Sequence, residues 1–157
     1  MVVARPLDSR AEPRHIVIDG ARARDLESIC ALLDSASLPH ADLTEASLQQ
    51  FLVARADNHI VGVVGLECYE DVALLRSLAV AKEHCGFGIG KRLVAAAEKL
   101  AAETGVKSLY LLTTSADQFF AALGFRRLQR ELAPQPIKST SQFSSLCPAT
   151  AVLMSKP

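Results

Sequence analysis

The sequence predicts a mixed α/β fold, and three observations point to it. Segments rich in β-branched and aliphatic residues alternate along the chain with segments whose apolar residues recur at helical spacing. A glycine-rich loop joins one apolar strand directly to a long amphipathic segment. The 157 residues match the size of one ordinary domain, and half of them are hydrophobic, so one core can form. We expect a flexible leader at residues 1–14 and a single domain at residues 15–157, with about six to seven strands and about four helices.

The first half of the domain reads as a strand, two helices and a hairpin. β-Branched residues alternate in "HIVIDGA", and "ARDLESICALLDSASLP" then carries apolar residues at helical spacing until Pro39. Thr44 is the expected N-cap of a second short helix, which runs into the strand "FLVAR". The residues "ADNH" predict a turn that leads into the long strand "IVGVVGLECYE".

The second half begins with the strand "DVALLRSLAVA", whose continuous run of Ala, Leu and Val predicts burial on both faces. After the glycine-rich loop, "LVAAAEKLAAETG" keeps a helical stripe that ends at Gly105, and "VKSLYLLTT" follows as a buried strand. The pattern then predicts a short helix at "ADQFFAAL" and a strand at "FRRLQREL". The tail opens as a proline-rich loop, forms a short helix at "SQFSSL" and closes with a strand at "TAVLM".

Composition argues against several classes of protein. Lys and Arg number 17, as do Asp and Glu, so no net field draws the chain to nucleic acid or to an anionic membrane. No apolar stretch reaches the roughly 18 residues of a membrane span, and the first residues do not resemble a secretory signal. The four cysteines and four histidines show no metal-binding spacing. We therefore expect a cytoplasmic protein with reduced thiols and with no metal, nucleic acid or membrane partner.

The loop "CGFGIGKR" is the strongest local signal. Gly86, Gly88 and Gly90 allow backbone conformations that bring N–H groups and the positive end of a helix dipole close to an anion. A P-loop is excluded because Cys85 stands where its first glycine belongs, and a dinucleotide loop is excluded because Lys91 replaces its third glycine. The remaining interpretation is a pyrophosphate cradle with G-x-G at Gly88 and Gly90.

The stretch "LLRSLAVAKEHCGFGIGKRLVAAAEKLAAETGVKSLYLLT" resembles the acetyl-CoA-binding core of the GNAT N-acetyltransferase superfamily. In that family the loop reads Gln/Arg-x-x-Gly-x-Gly/Ala, which here covers residues 85–90, with Cys85 where Gln or Arg is usual. The stretch "SADQFFAALGF" resembles the second signature of the family, a helix whose aromatic residues precede a Gly-Phe break. The resemblance extends over about residues 15–157 and implies the acyl-CoA N-acyltransferase fold, a mixed, mostly antiparallel sheet flanked by helices.

The resemblance implies acetyl-CoA as cosubstrate and indicates which residues hold it. In the family, the strand before the loop pairs its backbone with the pantetheine arm, and one of its N–H groups polarises the acetyl carbonyl. The residues that the resemblance assigns to cofactor binding are Leu78, Ala79, Val80, Cys85, Gly86, Phe87, Gly88, Ile89, Gly90, Lys91 and Phe120.

Phe120 departs from the family pattern. In the family, a tyrosine at this position commonly protonates the departing CoA thiolate, and phenylalanine has no proton to donate. Either a water or a hydroxyl of Thr113, Thr114 or Ser115 takes over, or the thiolate leaves unaided. Thr114 and Ser115 are therefore candidate catalytic residues, and the structural alternative for Ser115 is to cap the following helix.

Glu67 is the first candidate for the general base, acting directly or through water, because burial in an apolar strand would make its carboxylate more basic. Glu70 and Asp71 are more typical of turn residues. Arg76 interrupts an apolar strand and should face an anion, either an acceptor carboxylate or Glu67. His40 is a candidate for substrate contact, since the segment between the first two helices borders the acceptor pocket in this fold.

The leading hypothesis is an acetyl-CoA-dependent N-acetyltransferase that acts on a small amine by direct transfer in a ternary complex. A small acceptor, an amino acid or an amino-acid-like arsenical, is favoured because no acidic or basic tract is present to grasp a protein tail or polyamine. The stretches "LLRSLAV", "LYLLT", "FFAALGF" and "QFSSLCPATAVLM" resemble the small GNAT branch of arsenic-resistance operons. In the tail, Lys138, Thr140 or Phe143 would face the acceptor.

Two other hypotheses stay open. A catalytically idle acyl-CoA-binding or regulatory domain is favoured by Phe120 and Cys85. A nucleotide-binding protein fits poorly, since both nucleotide motifs are broken. The apolar final strand and an exposed sheet edge favour a homodimer through strand pairing or exchange.

Overall fold

The computed structural model describes residues 15–157, in which seven strands form one sheet. The strands are β1 (Ile16–Gly20), β2 (Phe51–Ala56), β3 (His59–Tyr69), β4 (Val72–Val80), β5 (Ser108–Thr113), β6 (Arg126–Leu128) and β7 (Val152–Lys156). Their order across the sheet is β1-β2-β3-β4-β5-β7-β6. The sheet is mostly antiparallel, while β4 and β5 are parallel, so the predicted fold class is confirmed. The predicted leader lies outside the described residues, and the single domain stays a prediction.

Helices connect most of these strands. The α-helices within residues 15–157 are α1 (Leu26–Ser35), α2 (Ile89–Glu103), α3 (Asp117–Ala122) and α4 (Gln135–Lys138). Short 3₁₀ turns lie at Ala23–Asp25, Ala46–Gln50, Lys82–His84 and Arg130–Leu132, and a π-helix lies at Gln142–Leu146. The described chain forms two compact units, residues 15–64 with 77–96 and residues 65–76 with 97–157.

In the first unit, α1 supplies one side of a hydrophobic core. The buried side chains of this core are Ile29, Leu32, Leu33, Leu48, Phe51, Val53, Val63 and Ala79. Helix α2 approaches β3 closely at Gly62, where a Cβ atom would come within 2.9 Å of Leu93 Cδ1. Close packing of α2, the helix that follows the glycine-rich loop, therefore explains why the strand has a glycine at position 62.

In the second unit, β7 pairs with β5 over Leu109–Thr113 and with β6 over Arg126–Leu128. Both sides of the final strand are thus hydrogen-bonded, and the sheet ends at β1 and β6. Direct pairing of two copies through β7 would have to displace β6, because the last strand is not at an edge. The homodimer itself stays a prediction. The tail packs on β4 and β7 through a buried cluster of Leu74, Ala133, Ile137 and Leu153.

Three predicted elements differ from the structure. The proline-rich loop contains α4, because Pro136 lies in the first turn, where a helix needs no N–H from it. The strand predicted for "FRRLQREL" ends at Leu128 and turns into the 3₁₀ segment at 130–132. The second predicted helix is only a 3₁₀ turn at 46–50, although the Thr44 hydroxyl does accept the Ser47 N–H, at 3.3 Å.

Candidate active site

The glycine-rich loop lies between β4 and α2, as the sequence predicts. Gly86 and Gly88 have φ of +91° and +81°, the left-handed region that side chains disfavour, and open space surrounds both positions. The Arg92 N–H bonds to the Gly88 carbonyl at 3.1 Å, so the preceding N–H groups belong to the open first turn of a 15-residue helix. This turn presents backbone donors and the positive end of the helix dipole to any anion in the loop.

The side chains of the loop divide into anchors and exposed groups. Ile89 is buried, and Arg92 donates to the carbonyl of Ile16 at 3.1 Å, which ties the helix start to β1. Phe87 is 43% exposed, although aromatic residues usually bury their rings. The exposed Cys85 thiol lies 3.5 Å from the Ala81 carbonyl. It does not supply the long polar side chain that Gln or Arg would provide here.

Strand β4 contains a feature that the sequence analysis missed. Ser77 has φ of +60° in the middle of the strand, a conformation that costs a non-glycine residue free energy. The parallel pairing of β4 with β5 ends at Leu74 opposite Tyr110, whereas β4 continues to Val80. Distorted backbone of this kind occurs often at functional sites, where it redirects main-chain groups.

Glu67, the predicted general base, is held by two donors in the second unit. Arg76 Nη1 donates to Glu67 Oε2 at 2.7 Å, and the Tyr69 hydroxyl donates to Oε1 at 2.6 Å. Only 3% of the Arg76 side chain is exposed, against 23% of the Glu67 side chain. The ion pair between Arg76 and Glu67, one of the two alternatives from the sequence, is therefore formed. We call Tyr69, Glu67 and Arg76 the carboxylate network.

Tyr69 was not among the predicted site residues. Burial raises the pKa of its phenol, and the hydrogen bond to Glu67 raises the pKa further. The spacing of Glu67 and Tyr69 at i and i+2 on one strand places both on one face, which is the only sequence signal that could have found this contact.

Phe120 is buried against two other rings. Its ring centroid lies 5.1 Å from that of Phe119 and 5.6 Å from that of Phe125, in edge-to-face geometry. Thr114 and Ser115 are exposed, and the expected cap role of Ser115 is wrong, because Ala116 is the N-cap of α3 and no side chain caps this helix. The Thr113 hydroxyl accepts the Ala116 N–H at 2.9 Å, which closes a turn just before the helix.

The remaining candidates have local partners. His40 Nε2 lies 2.6 Å from Asp34 Oδ1, which fixes its ring beside α1 in the first unit. In the second unit, the buried Thr140 hydroxyl donates to the Ile137 carbonyl at 2.8 Å and serves the fold of the tail. Within residues 15–157, no three His, Cys, Asp or Glu side chains are placed to share a metal ion. The same residues contain no helix that is both long and apolar enough for a membrane span.

Comparison with known proteins agrees with this geometry. The family model described as the acetyltransferase (GNAT) domain matches residues 47–127, slightly more than half of the chain, including β2 to β5, the glycine-rich loop and α3. The chain belongs to the GNAT acetyltransferase family. The resemblance to GNAT proteins noted in the sequence is thus confirmed.

Relatives of this GNAT chain are N-acetyltransferases. An uncharacterized N-acetyltransferase of Chlorobaculum tepidum is 34% identical over 91 residues, which cover 57% of this chain and 58% of that protein. An amino-acid acetyltransferase of Aeromonas salmonicida is 28% identical over 125 residues, which cover 73% of this chain and 28% of that protein. The GNAT chain therefore spans less than two thirds of the length of these curated relatives.

Solved GNAT structures share the fold. The N-acetylglutamate synthase of Neisseria gonorrhoeae, solved with coenzyme A and N-acetyl-glutamate, matches with a TM-score of 0.80 and 21% identity. The match covers 90% of this chain and 35% of that chain. At this identity the likeness establishes the fold, and the chemistry must be argued from the residues themselves.

Proposed function

We propose that this GNAT chain transfers the acetyl group of acetyl-CoA to the amine of a small molecule in a ternary complex. The observation that carries the proposal is the open first turn of α2 behind two glycines with positive φ. Such a turn suits the CoA pyrophosphate, because an anion can approach the backbone without meeting a Cβ atom. The solved Neisseria synthase, which shares the fold, was determined with coenzyme A.

In this proposal the cofactor contacts are mainly backbone. The main chain of Leu78–Val80 pairs with the pantetheine arm, and residues 85–91 hold the pyrophosphate. The left-handed Ser77 supports this assignment, since it turns the main chain immediately before Leu78. Exposed Phe87 covers the bound cofactor, and the buried Phe120 is a further proposed contact.

Transfer requires one bond to form and one to break. The neutral amine nitrogen attacks the thioester carbonyl, and collapse of the tetrahedral intermediate breaks the carbon–sulfur bond. The proton leaving the amine passes to Glu67, directly or through water, and the thiolate takes a proton from water or from the hydroxyl of Thr114 or Ser115. Phe120 gives no proton, so if neither water nor a hydroxyl supplies one, the thiolate leaves unaided as a stable anion.

The acceptor is a small molecule with an amine and a carboxylate. The balanced charge of the chain offers no tract for grasping a protein tail or polyamine, and one relative is named an amino-acid acetyltransferase. In this proposal His40 contacts the acceptor, whereas Arg76 is buried against Glu67 and acts through that carboxylate. An amino-acid-like arsenical of the arsenic-resistance branch remains part of the proposal. Cytoplasmic location, a homodimer and the absence of a metal complete it.

The second candidate is an acyl-CoA-binding domain without turnover. Two observations favour it, namely the buried Phe120 in place of an acid and the short Cys85 side chain at the loop entrance. A domain of this kind would bind acetyl-CoA and release no CoA with any amine.

The deciding experiment incubates the purified protein with acetyl-CoA and a panel of free amino acids and amine-bearing arsenicals. Acetylated product is followed by mass spectrometry, because the exposed Cys85 would itself react with thiol reagents. Product with one acceptor class supports the enzyme and names its substrate. Tight binding of acetyl-CoA without product across the panel supports the idle domain, and retention of ATP instead of CoA would overturn both.

A further inference from the structure

The carboxylate network leaves neither oxygen of Glu67 without a donor. Oε2 is taken by Arg76 from β4, and Oε1 is taken by Tyr69 from the same strand as Glu67. Two donors on opposite oxygens fix both the position and the rotation of a carboxylate. A side chain that is 23% exposed would otherwise sample several rotamers.

The network lies on the face of β4 that carries the tail. Leu74, two residues before Arg76 on the same strand, packs in the buried cluster with Ala133 and Ile137. Since side chains alternate along a strand, Arg76 points to the same face as Leu74. Glu67 is thus held, part-exposed, on the side of the second unit where the tail residues gather.

We propose that Tyr69 is a positioning residue for transfer: its hydroxyl holds the Glu67 carboxylate in the orientation in which it accepts the proton of the acceptor amine. This inference rests on the proposed function. Burial and the bond to Glu67 raise the pKa of Tyr69, so the phenol keeps its proton and acts only as a donor. The charged and titratable groups that act on this phenol are Glu67 and Cys68 on β3 and Arg76 on β4.

Tyr69→Phe tests the inference because it removes one hydroxyl and keeps the ring. We expect kcat/KM to fall about tenfold, mainly in kcat, with Glu67→Gln falling about 100-fold. The KM for the acceptor should change little in Tyr69→Phe, because the lost hydroxyl orients the base and does not bind the acceptor. Tyr110→Phe is the matched control: it removes the other phenol of the chain, packed on the Leu74 cluster, and should change neither.

A second readout does not depend on turnover. The chain has two tyrosines and no tryptophan, so in Tyr110→Phe the phenolate absorbance near 295 nm reports Tyr69 alone. At pH 11 an ordinary phenol with a pKa of about 10 is mostly ionised. At this pH we expect little phenolate in the single variant Tyr110→Phe and clearly more in the double variant that also carries Glu67→Gln. Circular dichroism checks that both variants remain folded.

The outcomes separate the two proposals. Equal phenolate titration with and without Glu67 would overturn the coupling of Tyr69 to Glu67, whether or not the protein is active. A Glu67-dependent phenolate titration together with an unchanged kcat in Tyr69→Phe would overturn the positioning role. Absence of turnover in the wild-type protein across the acceptor panel would overturn the proposed function, while the absorbance result still decides the coupling.

Discussion

Arg76 Nη1 donates to Glu67 Oε2 at 2.7 Å, with the guanidinium almost fully buried and the carboxylate part-exposed. A buried arginine must keep its counter-ion, because an unpaired charge inside a protein is costly. Glu67 is therefore a structural partner of Arg76 at the same time as it is the candidate base. A substitution in this pair should therefore affect both the stability of the second unit and its proposed chemistry.

Removing the guanidinium should destabilise the fold. Arg76→Met is expected to lower the free energy of unfolding by about 2 to 3 kcal/mol, because it leaves the Glu67 carboxylate without its cation and removes the hydrogen bond between them. Guanidinium chloride unfolding followed by circular dichroism measures the change. Arg127→Gln is the control: its pair with Asp117 is exposed, so its unfolding midpoint should hardly move. Equal midpoints for wild type and Arg76→Met would contradict this view of the pair.

Gly88→Ala should weaken cofactor binding more than it weakens the fold. A Cβ at Gly88 meets no atom, so the expected cost of about 1 kcal/mol comes only from its positive φ. A methyl group at the cradle should raise the Kd for acetyl-CoA about tenfold or more, as measured by isothermal titration calorimetry. Gly20→Ala, also in open space but without positive φ, should bind like the wild type. A Gly88→Ala protein with unchanged affinity would show that the cofactor does not use this loop.

The carboxylate of Asp25 should make the free energy of unfolding depend on pH in the acidic range. Arg55 donates to its carboxylate at 2.8 Å and holds its pKa below the usual range. A carboxyl whose folded pKa is depressed contributes stability above its unfolded pKa, near 4, and loses it as the pH falls through the folded value. Asp25→Asn should therefore be less stable than wild type at pH 7, with the difference shrinking below about pH 4. A difference in unfolding free energy that stays constant down to pH 2.5 would argue against the ion pair as its cause.

Ser77→Val should destabilise the fold more than a valine elsewhere in a strand would. The left-handed φ of Ser77 is especially unfavourable for a β-branched side chain, so we expect a loss of about 1 to 2 kcal/mol in the free energy of unfolding. Ser108→Val, at the start of β5 where strand propensity favours valine, is the control and should be close to neutral. Thermal unfolding of the two variants measures the contrast. Equal effects would mean that the distortion in β4 is easily relaxed.

Much of this fold follows from local pattern. The glycine-rich loop, the helix behind it and the hairpin strands were predicted because periodicity and turn residues are properties of neighbouring residues. Helix α4 was missed because prolines normally indicate a loop, and the helical turn is stabilised by the packing of Ile137 in the buried cluster with Leu74. Local sequence carries no record of that distant contact.

The site was predicted in part for the same reason. Glu67 and Arg76 stand out as charges in apolar strands, so their pairing was one of two alternatives from the sequence. The left-handed Ser77 is set by tertiary structure that the residues alone do not reveal, whereas the Tyr69 bond was missed although its i, i+2 spacing from Glu67 places both on one face of β3. Helix α3 begins at Asp117, one residue later than predicted, so Ala116 takes the N-cap position that the sequence assigned to Ser115; helix ends are poorly set by sequence.

The most direct test of the central proposal is acetyl transfer by the purified wild-type protein. With isotope-labelled acetyl-CoA and a single small amine at a time, we expect labelled acetyl-amine for at least one amino acid or amino-acid-like acceptor, and about tenfold less of it with Gly88→Ala at limiting cofactor. Labelled cofactor that stays bound and unconsumed with every acceptor would contradict the enzyme and leave an acyl-CoA-binding domain.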